Sequence, residues 1–184
     1  MKKLLKIVFV FFLITNTYSQ EKIKFKAGVK ILNYNKTKEF VINKKDSILF
    51  VLKADTPHLI NHYLDLSRNL KKSFRKYKVK TYFNYEMNVN DNSFEVDVKS
   101  IPKKVYDKND FKNIVYIKAV FTNTVKLSKI RFPVSKRQTH HQLKFNFEKD
   151  DNEIMNFVLD IMSYNTIVHK NKRVASEIRK KLLD

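Results

Sequence analysis

Three acidic side chains are predicted to lie together on one face of a β-hairpin, and their type makes them the first candidates for catalysis. Pairing across a turn at residues 90–91 places Glu86 opposite Glu95, with Asp97 beside them. Two such carboxylates could carry out general acid–base hydrolysis of a glycosidic bond or bind a cation. In a chain with a formal net charge of +20, a solvated face neutralised by neighbouring lysines is the interpretation that the pattern favours.

Two histidines have the spacing of metal ligands on a helix. His58 and His62 are four residues apart, so both project from the same helix face, with Asp55 and Asp65 nearby. Zinc needs at least a third protein ligand, and the sequence indicates none. We therefore expect two ordinary histidines and no resident metal or cofactor, with His58 and His62 as the metal hypothesis to test.

A run of basic residues is predicted on the polar side of the same helix. Such a face could bind an acidic partner or an anionic surface, although basic helix faces are often simply solvated. The predicted ligand-binding residues are Arg68, Lys71, Lys72, Arg75 and Lys76.

The composition excludes several kinds of chemistry. A single glycine, Gly28, cannot supply the Gly-rich loops that bind nucleotide phosphates or the tight turn of a hydrolase nucleophile. The absence of cysteine removes thiolate catalysis, disulfide frameworks and cysteine-based zinc sites. We therefore predict no nucleotide ligand.

The positive charge indicates acidic partners but argues against nucleic acid. Lysines number 32 and arginines six, whereas recognition of phosphates and bases favours the bidentate arginine side chain. The basic residues are also spread over the chain, and a nucleic-acid-binding protein concentrates them on one face. An anionic component of the cell envelope or an acidic protein is the partner that we expect.

The N-terminus is typical of a secretory signal peptide. Three lysines precede an apolar run at 7–14, and polar residues follow before a predicted cleavage site ahead of Gln20. The apolar run is far shorter than the roughly 20 residues of a membrane-spanning helix. We therefore expect residues 1–19 to be removed and a single domain, 20–184, to occupy the periplasm or the exterior without a transmembrane span. Its net charge would be +17, since the removed segment carries three basic residues.

Several segments have the periodicity of strands. Residues 23–31 alternate lysines with apolar side chains, as expected of an edge strand protected from further pairing. The continuous apolar runs at 47–52 and 114–121 predict strands buried on both faces, whereas 143–147 has the alternation of a more exposed strand. The hairpin register is the sharpest prediction, because it separates apolar from polar faces completely. It pairs Phe83 with Val98, Tyr85 with Val96 and Met87 with Phe94.

Two helical segments complete the expected fold. Residues 57–77 carry an apolar stripe at three- and four-residue steps, and 152–183 is predicted as a C-terminal helical segment. The stripe consists of Leu59, Tyr63, Leu66, Leu70, Phe74 and Tyr77, and the C-terminal segment begins with Ile154, Phe157, Val158 and Ile161. The expected fold is α+β, with helices covering a mixed, mostly antiparallel sheet of about six to eight strands.

The function that these patterns favour is that of an exported bacterial envelope protein, a non-catalytic binding or accessory module attracting acidic partners. The sequence leaves two alternative functions open. One is a hydrolase, acting on a glycan through the carboxylate face, and the other is a nucleic-acid-binding protein. A concave pocket at the carboxylates would favour the hydrolase.

Overall fold

The computed structural model describes residues 27–37, 42–43, 46–54, 59–87, 101–120, 138–164 and 166–183. Within these ranges it contains six strands and two α-helices. The elements, in chain order, are β1 (Gly28–Lys36), β2 (Ser47–Ala54), α1 (Ile60–Arg75), β3 (Lys80–Met87), β4 (Asn113–Val120), β5 (Gln138–Lys149), β6 (Asn152–Tyr164) and α2 (Asn171–Leu183).

The strands form one mixed sheet in the order β1-β6-β5-β4-β2-β3. Strand β2 pairs in parallel with both β3 and β4, and the other three pairings are antiparallel. The parallel β2–β3 pair requires a crossover connection, which α1 supplies. This architecture confirms the predicted α+β fold class and the mixed sheet.

Helix α1 buries the predicted stripe against one face of the sheet. Tyr63, Leu66, Leu70 and Phe74 are completely buried in the main core, together with residues of β2, β5, β6 and α2. The last stripe residue was predicted wrongly, because Tyr77 is 40% exposed. It lies in the turn that follows the helix, where the chain leaves the core.

The prediction of a helix at 152–164 is wrong, because these residues form the 13-residue strand β6. Its buried side chains alternate, as in a strand: Met155, Phe157, Leu159 and Ile161. A segment this rich in apolar residues also contains helical spacings, so its own pattern does not separate the two structures. Pairing with β5 on one side and β1 on the other decides for the strand.

Strand β5 was also predicted wrongly as one of the more exposed strands. It lies in the interior of the sheet between β4 and β6, and Leu143, Phe145 and Phe147 are buried. The predictions for β2 and β4 as interior strands are confirmed. Strand β1 is an edge strand of the described sheet, with Val29 buried and Lys30 exposed, as the alternating pattern indicates.

Only the first half of the predicted hairpin falls on described residues. In β3, Phe83 and Tyr85 pack against the main core, which agrees with the predicted apolar face. Residues 88–100 lie outside the described residues, so the turn and the returning strand stay predictions, as does the leader at 1–19. Neither described helix has the length and apolar character that a membrane crossing requires.

Candidate functional site

Helices α1 and α2 lie side by side on the same face of the sheet and run in the same direction. Asn171, the first residue of α2, donates from its Nδ2 to the backbone oxygen of His62 at 3.0 Å and to Asp65 Oδ2 at 2.9 Å, near the start of α1. At the other end, Arg179 of α2 donates from Nη1 to the hydroxyl of Tyr77. Asn171 is completely buried, so its two bonds hold the beginnings of the helices together.

A groove of about 470 Å³ lies between the two helices. Five of its eight lining residues are cationic, the other three are neutral and polar, and none is a carboxylate. The lining consists of Asn69, Lys72, Ser73, Arg75 and Lys76 from α1 and the turn after it, and of Lys172, Ser176 and Arg179 from α2. We refer to this feature as the α1–α2 groove.

The positive charge of the α1–α2 groove is not neutralised within the described part of the chain. None of its five cations forms an ion pair with a described carboxylate. The nearby acids are engaged elsewhere: Asp65 accepts hydrogen bonds from Asn69 and Asn171, and Glu177 pairs with Lys180 at 3.4 Å. An anionic ligand would therefore meet cations that no carboxylate of the described residues neutralises.

Helix electrostatics explain some of these cations but not all of them. Lys72 and Arg75 lie in the last turn of α1, where the helix dipole favours positive charge. Lys172 lies in the first turn of α2, which contains no acidic residue and where the dipole disfavours a cation. The placement of Lys172 is consistent with a site that attracts an anion, since it does not stabilise its own helix.

Arg179 is held in place by an aromatic neighbour. Its guanidinium carbon lies 4.8 Å from the centre of the Tyr77 ring, and its Nη1 donates to the hydroxyl of the same side chain. Its Nε is buried and has no hydrogen-bond partner in the part of the chain that the structure describes. Tyr77 thus restrains the arginine beside the groove, which is a role that its assignment to the apolar stripe did not anticipate.

The structure divides the predicted binding residues into two sets. Lys72, Arg75 and Lys76 line the α1–α2 groove, whereas Arg68 and Lys71 are exposed without lining it. Sequence reasoning missed the residues that α2 contributes. The basic content of 170–181 was visible, and Lys172, Ser176 and Arg179 have helical spacing. Nothing in that spacing indicates which surface they face.

His62 points into the protein interior. It is 1% exposed, and neither ring nitrogen has a hydrogen-bond partner among the described residues. Burial, followed by the nearby His141, lowers the pKa of His62 to about 3, so the ring is neutral at pH 7. His58 lies outside the described residues. Among the residues that the structure describes, no group of three or more His, Cys, Asp or Glu side chains could hold a metal ion.

The predicted carboxylate face is described only at Glu86. Its Oε2 lies 3.1 Å from Nζ of Lys53, on the side of the sheet opposite the helices. Glu95 and Asp97 lie outside the described residues. The catalytic hypothesis therefore stays a prediction, and its one described member is engaged in an ion pair.

No protein-family model and no curated protein sequence matches this chain. Two solved structures of the PelC dodecamer from Paraburkholderia phytofirmans, one a single-substitution variant, match it with TM-scores of 0.51 and 0.50 at 6% identity. These matches cover 83% and 85% of this chain and 99% and 97% of the PelC chains. The chain is thus an α+β protein whose fold is similar to that of a PelC subunit.

A third match is a neuraminyllactose-binding hemagglutinin homologue from Helicobacter pylori. It has a TM-score of 0.41 and 12% identity, and it covers 80% of this chain and 87% of the other. A similarity at that level establishes no shared fold.

Proposed function

We propose that the protein is an exported, non-catalytic binding module that captures an anionic partner in the α1–α2 groove. The observation that carries this proposal is the groove lining, in which five cations converge from two helices with no carboxylate among them. Two of the five, Lys172 and Arg179, belong to α2, which begins 111 residues after α1 begins. Folding therefore concentrates charge that the sequence leaves dispersed.

The chemistry of the lining supports binding over catalysis. Carboxylates and histidines are the side chains that most often act as general bases at neutral pH. The groove lining contains neither, but offers cations and the neutral polar groups of Asn69, Ser73 and Ser176. Such a set can hold and orient an anion without a built-in proton acceptor of the usual kind.

Export is supported by the leader-like N-terminus at 1–19, which predicts a periplasmic or extracellular location. The partner would then be an anionic component of the bacterial envelope or an acidic protein. A mature net charge of +17 would raise the rate at which any such anion is encountered. The α1–α2 groove would then be the site at which the anion binds.

A charge-reversal experiment separates the α1–α2 groove from the general positive field. The groove variant carries Lys72→Glu, Lys76→Glu, Lys172→Glu and Arg179→Glu. The matched control carries the same change of charge at exposed lysines away from the groove: Lys30→Glu, Lys80→Glu, Lys103→Glu and Lys144→Glu. Binding of polyphosphate and polygalacturonate is measured by calorimetry at 0.15 M salt, where charges more than about 8 Å apart are largely screened.

We expect the groove variant to bind about a hundredfold more weakly and the control to lose less than about fivefold, because only the first set contacts the ligand. Circular dichroism melting confirms that both variants are folded. Equal losses in the two variants would show that the charge acts as a diffuse field and that the groove is not the site.

A further inference from the structure

Asn69 is one of the neutral polar residues that line this cationic groove, and its side-chain amide has one oxygen that can accept a hydrogen bond. Its Nδ2 donates to the backbone oxygen of Asp65 at 2.9 Å and to Asp65 Oδ2 at 3.0 Å. These two bonds use both hydrogens of the amide. Both partners are acceptors, so the amide nitrogen rather than the amide oxygen must face them. The polar atom that Asn69 retains for a ligand is Oδ1.

The orientation of Asn69 is fixed by a network that reaches the neighbouring helix. Asp65 Oδ2 also accepts from Nδ2 of Asn171, which is completely buried at the start of α2. Because Asp65 Oδ2 accepts from both asparagines, a rotation of Asp65 away from the Asn69 amide would also break its bond to Asn171. The acceptor on Asn69 is therefore a preorganised part of the groove.

An acceptor among five cations restricts the ligand to a particular chemistry. A ligand whose polar atoms are all carboxylate oxygens, such as tricarballylate, has no hydrogen to donate to Oδ1. A ligand that carries hydroxyl groups next to its anionic groups satisfies both requirements. The hydroxyls of Ser73 and Ser176, which can donate or accept, add further partners for such a ligand.

The groove lining also argues against a peptide or a nucleic acid. Docked peptide segments use apolar side chains as anchors, and single-stranded nucleic acids stack their bases on aromatic rings. None of the eight lining residues is aromatic or aliphatic; the larger part of the lining surface is nevertheless apolar, and it comes from the carbon atoms of these polar residues. From Asn69 to Lys76 the lining follows about two helical turns, roughly 10 Å, which suits a short stretch of a chain molecule.

We propose that the α1–α2 groove binds an acidic saccharide, a sugar chain that carries both carboxylates and hydroxyls. The carboxylates lie against Arg179 and the groove lysines, and a sugar hydroxyl donates to Asn69 Oδ1. Arg179 retains N–H donors beyond the one that bonds Tyr77. This inference rests on the proposed function, since it assigns a ligand class to the same site.

The test compares three small anions on the purified protein. Trigalacturonate carries three carboxylates and many hydroxyls, tricarballylate carries three carboxylates and no hydroxyl, and tripolyphosphate carries phosphates alone. Asn69→Ala removes the acceptor, and Asn109→Ala is the matched control at an exposed asparagine outside the groove. Arg179→Ala tests the groove as an anion site for all three probes.

We expect Asn69→Ala to weaken trigalacturonate about five- to tenfold, as for the loss of one good hydrogen bond, and to leave tricarballylate and tripolyphosphate within about twofold. Asn109→Ala changes none of the three affinities. Arg179→Ala weakens all three by about tenfold or more. Retained tripolyphosphate binding in the Asn69→Ala sample shows at the same time that the groove is folded.

Two results would overturn the saccharide inference and leave the proposed function standing: an equal effect of Asn69→Ala on all three probes, or binding of tripolyphosphate with no binding of trigalacturonate. A different result overturns the proposed function itself. If Arg179→Ala weakens none of the probes, the groove does not bind anions.

Discussion

A basic side chain on one side of the sheet has a carboxylate partner, whereas a basic side chain on the other side has none among the described residues. On the side away from the helices, Nζ of Lys53 lies 4.8 Å from the centre of the Tyr116 ring and 3.1 Å from Glu86. On the helix side, Arg179 lies at the same distance from the Tyr77 ring but has no carboxylate partner among the described residues. Both cations pack on an aromatic ring, and only one is neutralised.

Strand register explains the difference. Lys53 and Glu86 are direct partners in the parallel β2–β3 pairing, so the fold that positions the lysine positions its counter-ion as well. Helices α1 and α2 place their cations along the groove that they share. Their acids Asp65 and Glu177 bond instead to Asn171 and Lys180, which do not line the groove. A basic residue is therefore informative about function only when its three-dimensional neighbours are known.

Acid should destabilise the helix side, and over the full range down to pH 3 this is the largest effect on stability that we expect. Because the pKa of His62 is lowered from 6.5 to about 3, the unfolded chain takes up a proton in this pH range while the folded chain does not. The contribution of this group to stability is complete above pH 6.5 and is lost as the pH falls toward 3. The free energy of unfolding should fall by about 1.4 kcal/mol for each pH unit in between.

Urea unfolding at pH 7 and pH 5 measures this loss, and His62→Leu is the variant that should reduce it. The side opposite the helices provides the contrast, because burial raises the pKa of Glu148 and protonation there favours the folded state. If the wild type and His62→Leu lose stability equally between pH 7 and pH 5, the histidine is not the group responsible.

Two asparagines with similar structural roles should differ in their effect on binding. Asn171 joins the two helices. On the opposite side, Asn84 Nδ2 donates to the backbone oxygen of Tyr106 at 2.8 Å, and the backbone N–H of Tyr106 donates to Asn84 Oδ1 at 2.9 Å. Asn171→Ala should cost about 2 to 3 kcal/mol of unfolding free energy and Asn84→Ala about 1 to 2 kcal/mol, because each removes two hydrogen bonds and Asn171 is the completely buried residue of the two.

Only Asn171→Ala should also weaken tripolyphosphate binding, by about tenfold, because it releases the contact that sets the spacing of α1 and α2. Urea unfolding and calorimetric titration of the same samples supply both measurements. Should the two variants weaken binding alike, general loss of stability rather than groove geometry would account for the effect.

Removing the counter-ion of Lys53 should have the smallest effect. The side chains of Lys53 and Glu86 are 41% and 54% exposed, and exposed ion pairs contribute less than about 1 kcal/mol. Glu86→Gln should therefore change the free energy of unfolding by less than that amount and leave anion affinity within about twofold. New anion binding in Glu86→Gln that disappears with Lys53→Ala would show that ion pairing alone distinguishes the two sides.

The sequence predicted the parts of the fold that depend on local pattern. The spacing of Tyr63, Leu66, Leu70 and Phe74 defines one face of α1, and these side chains are buried as expected. The continuous apolar run in β2 likewise predicted an interior strand. Strand β6 was mistaken for a helix, because its apolar residues satisfy both periods and only the pairing with β1 and β5 selects one of them.

By itself, the sequence determined the charge, the fold class and the basic face of α1, since composition and residue spacing are local properties. Tertiary structure alone decided that Lys172 and Arg179 of α2 complete a groove with Lys72 and Lys76. It also decided that Glu86 neutralises Lys53 and that Asp65 turns the amide of Asn69. The contacts between α1 and α2 and between β2 and β3 join residues that are far apart in the chain. Their geometry depends on helix packing and strand register, which no local sequence pattern encodes.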